Sequence, residues 1–275
     1  MTYATLLVNL NPGQPNSRTL AVAQRLAEKF NAIVIGIAGG HPSQSVYANG
    51  FAGGDVYAPE RKATERLLRE AHEEFMGVFP ISAYNTGWRE TGKFESISAF
   101  VAREARSADL VITGVPEAGF PDFVPAARPP DVIMQAGRPV LVVPAGCADI
   151  DLNWVLVAWK DTREARRAVA DALPMLQRAH HVQLVEIADA KDKDEDSARL
   201  DDVAAWLARH KIRASCTVAL ANPDDPDQLG AIATELGATL VVAGAYGHSR
   251  LQQWMMGGVT RNLLEGVQRC SFVSH

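Results

Sequence analysis

The sequence predicts an α/β protein built on open, mostly parallel sheets, and three observations predict it. Short apolar runs rich in Val, Ile and Leu alternate with longer segments of helical period. The runs are almost continuously apolar, as strands covered by helices on both faces must be. The same order of elements also occurs twice along the chain.

In the first half the strand candidates are Leu6–Leu10, Ile33–Ile37, Leu110–Thr113 and Val140–Val143. In the second they are Val155–Trp159, Val182–Ile187, Cys216–Leu220, Leu240–Ala243 and Ser271–Val273. Between them run the buried stripes of helices. Leu68, Ala71, Phe75 and Phe79 form one, and Ile97, Phe100, Val101 and Glu104–Ala105 a second. Leu200, Val203 and Leu207 form a third, and Leu229, Ile232, Ala233 and Leu236 a fourth. Asp161 and Glu164 have the spacing of a capping box just after a strand, with Asp161 in place of the usual Ser or Thr.

The repeat is visible in the letters. Leu6–Leu10 resembles Val155–Trp159, each followed by a polar turn and a helix. Ser107–Gly114 resembles Gly237–Gly244, each a helix running into a strand that ends in glycine. A copied β-α-β-α unit of about 130 residues accounts for this better than one continuous domain. The seam is expected at Pro144–Asp151, so that the domains span 1–147 and 151–275.

Composition bounds the function. A chain of 275 residues, 47% hydrophobic and 21% charged, is an ordinary globular composition, not a disordered or fibrous one. The net charge of −5 offers no basic field to gather nucleic acid. Cys147, Cys216 and Cys270 stand far apart in sequence, which argues for a reducing compartment and against a disulfide framework or zinc cluster. The residues after Met1 carry no basic leader, and no apolar stretch approaches a membrane span, so a cytoplasmic protein is expected.

The segment richest in chemistry is Gly244-Ala-Tyr-Gly247, nine residues, then Gly257-Gly258-Val259-Thr260. It follows an apolar strand and ends where a helix with Val259, Leu263, Leu264 and Val267 begins. Glycines at a strand's carboxyl end let backbone approach a ligand, a helix start offers free N–H groups to an anion, and Thr260 adds a hydroxyl. Together these describe a phosphate cradle, although from spacing alone the same glycines would serve equally well as tight turns. The segment is neither a Walker A loop nor a close-spaced GxGxxG.

This arrangement resembles the universal stress protein family, whose nucleotide-binding members carry G-x2-G-x9-G-[ST] at this place. Val155-Leu-Val-Ala-Trp-Lys-Asp-Thr-Arg-Glu-Ala is similar to the family's opening strand and turn, and Cys270-Ser-Phe-Val-Ser-His275 to its final strand. Ser107–Gly114 and Gly137-Arg-Pro-Val-Leu-Val-Val-Pro144 extend the resemblance through the first half. It implies two tandem Rossmann-like domains of the adenine-nucleotide alpha-hydrolase-like type. It also implies that Gly244, Gly247, Gly257, Gly258, Val259 and Thr260 surround the triphosphate and ribose of ATP, with Ala158, Trp159 and Lys160 beside the adenine end. Whether Mg2+ accompanies the nucleotide is left open. Two residues depart from the pattern: Gly258 stands where the family has Ser or Thr, and Lys160 where it commonly has Asp. Lys160 could reach a phosphate or pair with Asp161.

In the first half Glu117 replaces the second glycine, and Pro116, Pro121, Pro125, Pro129 and Pro130 crowd the connection. A carboxylate repels phosphate and proline removes N–H donors, so no ATP is expected there. That half is expected to be a structural partner, with another small molecule as the alternative.

Other candidates read more plainly. His180-His181 are expected to be solvent-facing turn residues rather than metal ligands, His248 a loop residue within reach of a phosphate, and His275 a mobile end. Ser249 lacks the G-x-S-x-G elbow of a hydrolase nucleophile. Lys191–Asp196 and Asn222–Asp227 read as solvated helix starts, without the glycine and distal Glu of a calcium loop. Trp88–Gly92 is expected to follow a third strand, as an exposed turn with one packed indole or as a pocket wall.

No residue is an evident catalytic base, so the chain is not read as an enzyme. An enzyme of related fold that adenylates a substrate would need a pyrophosphate-binding signature and a second substrate site, and neither is found. The expected function is a stress-response factor whose C-terminal domain binds ATP; the alternatives are a nucleotide-free protein-interaction module or a small-molecule-binding protein. Neither a nucleic acid nor a membrane is an expected partner. The resemblance implies pairing of the two domains within the chain, with a further homodimer left open.

Overall fold

The computed structural model describes residues 2–41, 58–93, 95–116, 126–147, 149–190, 193–222, 225, 227–245 and 269–275. It divides into two compact units, Tyr3–Arg138 and Pro139–His275.

The N-terminal unit runs β1 (Thr5–Leu10), α1 (Ser17–Phe30), β2 (Ile33–Gly39), α2 (Ala58–Val78), β3 (Thr86–Thr91), α3 (Ile97–Glu104), β4 (Leu110–Gly114) and α4 (Pro129–Gln135). Its strands lie in the order β3-β2-β1-β4. β1 pairs in parallel with β2 and β4, and β2 with β3. Leu6, Leu7, Val8, Leu110, Val111 and Ile112 are all buried, which is why these strands read as unbroken apolar runs. Asn31 closes α1 in the left-handed region at φ 51°, its N–H donating to the Ala27 carbonyl. Ser96 caps α3, its hydroxyl oxygen accepting from the Ala99 N–H.

The C-terminal unit runs β5 (Val140–Val143), β6 (Trp154–Ala158), α5 (Arg163–Leu176), β7 (His181–Ala188), α6 (Lys193–Arg209), β8 (Ala214–Leu220), α7 (Gln228–Glu235), β9 (Leu240–Gly244) and β10 (Cys270–Ser274). Its strand order is β5-β10-β9-β6-β7-β8. All neighbours are parallel except β5 and β10, which pair antiparallel with Ser271 opposite Val142. The sequence copy ends with β5, whereas the compact unit begins with it, and within that unit β5 pairs with β10. β3-β2-β1-β4 and β8-β7-β6-β9 repeat one topology.

α7 packs through Leu229 and Ala233 on a face built from Leu156, Val185 and Val241. Since side chains alternate along a strand, Leu184, Glu186, Val242 and Gly244 belong to the opposite face, under α5 and α6.

Two local expectations are corrected and a third, the buried stripe of α3, is borne out. The α5 N-cap is Thr162, not Asp161: the Thr162 hydroxyl accepts from the Ala165 N–H at 3.2 Å, while Asp161 pairs with Arg166 at 2.6 Å. Trp88–Thr91 do not follow the third strand; they are part of β3, where the Trp88 indole stacks on His72 at 4.7 Å between centroids and donates to Glu90. Glu104 is buried on the inner face of α3 but as a charge, held at 2.8 Å by Arg89 and 3.0 Å by Arg106. Burial pushes its carboxyl up, and the two guanidiniums more than reverse this, so it stays below the usual carboxylate range.

Candidate functional site

In an open α/β sheet the chain leaves a crevice where successive connections turn in opposite directions, outside the carboxyl ends of the two strands involved. In the C-terminal unit that point lies between β6 and β9: from β6 the chain moves outward through β7 and β8, then returns to β9 on the other side. The register sets Ala158 beside Ala243, so the segment Ala158-Trp159-Lys160 and Gly244 emerge together. Of the residues assigned to ATP, these four are brought to one place; Gly247, Gly257, Gly258, Val259 and Thr260, with His248 and Ser249, lie outside the described residues.

Two donors at this point have no hydrogen-bond or ion-pair partner among the described residues. Trp159 is 8% exposed, with its backbone N–H bound to the Val185 carbonyl at 2.8 Å. Its indole Nε1 is buried without a hydrogen-bond partner among the described residues. A buried N–H left without an acceptor costs on the order of 1–3 kcal/mol, so this donor calls for an acceptor beyond the described residues. Lys160 is exposed and makes no ion pair among the described residues, Asp161 being engaged by Arg166.

A third unsatisfied group lies nearby in β7. Glu186 is 3% exposed and its Oε2 has no partner among the described residues. Burial pushes its carboxyl above the usual range against the pull of Lys160 and Arg199, and Asp161 adds to the rise. Arg199 of α6 is committed to Glu195 and to the buried Asp196, so Lys193–Asp196 is not simply the solvated helix start expected. A carboxyl with a raised folded-state pKa favours the fold while protonated and loses that contribution as pH rises through its folded value. Glu186→Gln is therefore expected to melt above the parent at about pH 8, the gap closing toward pH ~4.5 where glutamate protonates in the unfolded chain as well. Equal melting temperatures across that range would count against the reading.

The start of α5 closes the near side. Glu164 is buried: desolvation pushes its carboxyl up, but its own backbone N–H, Arg163 and the charge of His275 bring it below the ordinary range. Thr162 holds the Ala165 N–H and Glu164 its own, so two N–H groups of the first turn of α5 are engaged by its own side chains. The anion-accepting helix start of the sequence reading is a different one, at Val259–Thr260.

His275 is docked rather than mobile. Its Nδ1 lies 3.2 Å from the Ala245 carbonyl, and the Ala245 N–H donates to the Ser274 carbonyl at 2.8 Å. Nothing in the sequence marks this contact, which follows from β10 pairing with β9. His180 and His181 are both exposed, His181 stacking on Trp154 at 4.3 Å. No cluster of metal-ligating side chains occurs among the described residues.

At the matching point of the N-terminal unit, between β1 and β4, its own side chains form a network, with Asn9 Oδ1 left without a partner among the described residues. Asn9 donates to Thr113 Oγ1 at 3.0 Å and to Asn11 Oδ1 at 3.3 Å. Asn16 accepts from the Asn11 N–H and donates to the Asn11 and Gln14 carbonyls and to Glu74. The sequence reading missed this network; the three asparagines around Gly13 were its one visible trace.

No family model and no curated protein matches the sequence. Solved structures do. A universal stress protein from Archaeoglobus fulgidus DSM 4304 superposes with a TM-score of 0.72 at 13% identity, covering 98% of this chain and 97% of its own. A putative universal stress protein from Pseudomonas aeruginosa UCBPP-PA14 gives 0.61 at 16%, covering 99% and 93%. A functionally unknown protein from Pseudomonas aeruginosa PAO1 gives 0.58 at 18%, covering 99% and 92%. Over nearly its whole length the chain shares the fold of these proteins. Among the described residues no helix is long and apolar enough to cross a membrane.

Proposed function

We propose that the chain is a tandem universal stress protein whose second domain, residues 151–275, binds ATP at the carboxyl ends of β6 and β9, and that nucleotide occupancy regulates a stress response. The observation that carries this reading is a pair of donors at that point, the buried Trp159 indole N–H and the Lys160 ammonium, neither of which has a partner among the described residues. A ligand that is both acceptor-rich and anionic answers both, and a nucleotide is such a ligand.

In this proposal Ala158, Trp159 and Lys160 lie beside the adenine end, and Gly244, Gly247, Gly257, Gly258, Val259 and Thr260 surround the ribose and triphosphate, with or without Mg2+. The first domain, residues 1–147, serves as a structural partner, in keeping with the Asn9–Asn11–Asn16 network that occupies its own switch point. Regulation through occupancy needs only that bound and free forms differ in affinity for another partner, and it requires no catalytic base.

Calorimetric titration of Mg-ATP into nucleotide-stripped protein, beside a Gly247→Glu variant, tests the site. The expected result is one ATP bound per parent chain and none by the variant. Absence of binding by either at millimolar nucleotide would leave the glycines as turns and favour the nucleotide-free interaction module, toward which Gly258 and the degenerate first domain already lean.

A further inference from the structure

We propose that Cys147 and Cys270 are an oxidative modification site, forming an intramolecular disulfide within the C-terminal unit. The sequence separates them by more than a hundred residues and offers no pairing signal. The structure sets their Sγ atoms 2.9 Å apart, with the residues 1% and 0% exposed. Two backbone features cause this. β10 runs antiparallel to β5, so Cys270 lies one register step beyond the Ser271–Val142 pair. The chain after β5 then turns back, the Cys147 N–H donating to the Pro144 carbonyl at 3.0 Å.

The distance discriminates between the chemistries open to two thiols. Thiolates sharing a tetrahedral zinc at about 2.3 Å each stand ~3.8 Å apart, wider than this pair. A disulfide needs about 2.05 Å, so sulfurs that stand 2.9 Å apart must close by less than about 1 Å. Cys216 takes no part; it lies in β8 with its thiol 3.6 Å from the Leu200 carbonyl of α6.

The two sulfurs are also inequivalent. The Cys270 thiol donating to it holds Cys147 below the ordinary thiol range despite burial, while Cys270 is pushed well above it by that same contact and by burial. Cys147 is the more readily ionised of the two and is the attacking sulfur in this proposal. With hydrogen peroxide as the oxidant, Cys147 Sγ attacks one peroxide oxygen; the O–O bond breaks and hydroxide leaves, becoming water with the proton shed by the Cys147 thiol. Cys270 Sγ then attacks the sulfenic sulfur, the S–S bond forms, the S–O bond breaks, and the departing hydroxide takes the Cys270 proton as a second water. Two thiols and one peroxide give one disulfide and two waters.

The cross-link ties the turn after β5 to the start of β10 and closes a long loop, which narrows the unfolded ensemble. The test uses the full chain, reduced, freed of reductant and treated in its folded state with hydrogen peroxide. Free thiols are then blocked with iodoacetamide and the unreduced digest is mapped by mass spectrometry. The expected result is a Cys147–Cys270 linked peptide, two hydrogens lighter than its parts, with Cys216 alkylated. The melting temperature should rise by several degrees and fall back on adding dithiothreitol. Cys216→Ala should retain both effects, and Cys147→Ala and Cys270→Ala should lose both. Recovery of Cys147 and Cys270 alkylated, over-oxidised without a link, or bonded to Cys216 or to another chain would overturn the proposal. The parent map decides the matter even if an alanine variant fails to fold.

Discussion

Gly244→Ala is expected to unfold the C-terminal unit well below the melting temperature of the parent. A Cβ on Gly244 would stand 2.4 Å from the Ala165 nitrogen, 2.5 Å from the Glu164 carbonyl carbon and 2.9 Å from the Ala165 Cα. All three atoms are backbone in the first turn of α5, so no side-chain rotation relieves the overlap. Either β9 or α5 must move, and overpacking of this kind costs about 1–3 kcal/mol or more. In a unit of this size each kcal/mol lowers the melting temperature by roughly 2–8 °C. The movement would also disturb the turn carrying Lys160 and Thr162, so proposed nucleotide affinity should fall with stability. Gly77→Ala serves as the control: nothing lies within 4 Å of its Cβ position, and in α2 alanine should stabilise by ~0.5–1 kcal/mol. A Gly244→Ala protein that melts with the parent would show that β9 and α5 do not approach as described.

Phe75→Ala is expected to be the costliest truncation in the N-terminal unit, at about 3–5 kcal/mol. Phe75 is 0% exposed and packs against Phe79 and Trp88 with ring centroids 5.1 and 5.5 Å away. The ring fits because Gly36 of β2 has no side chain; a Cβ there would meet Phe75 at 2.7 Å and Trp88 at 2.8 Å. Gly36→Ala should therefore cost less in a Phe75→Leu background than in the parent, a coupling readable by urea denaturation in a double-mutant cycle. Additive effects of the two substitutions would mean that the ring does not occupy that space.

The candidate site was partly legible in the sequence. Ala158, Trp159 and Lys160 follow one apolar run and Gly244 ends another, and the resemblance to the universal stress proteins implied that they share one site. What the glycine of β9 makes room for was not legible. The sequence reading took Gly244 as space for a ligand, and the atoms that crowd its Cβ position are those of α5. The unpaired Trp159 and Glu186 atoms were equally invisible, since satisfaction of a polar group depends on every element packed around it.

The sequence by itself determined the α/β class, the nine strands it marked as apolar runs, and the doubled element order. These properties are written in spacings of two to four residues, because burial on a sheet or helix face repeats at that interval. Tertiary structure alone decided the antiparallel seating of β5 on β10, the meeting of Cys147 with Cys270, the burial of Glu104 among arginines and the docking of His275. Each joins residues whose separation along the chain carries no periodic signal. Only when the strands take their order does the free energy of pairing, burial and charge compensation select which distant groups touch.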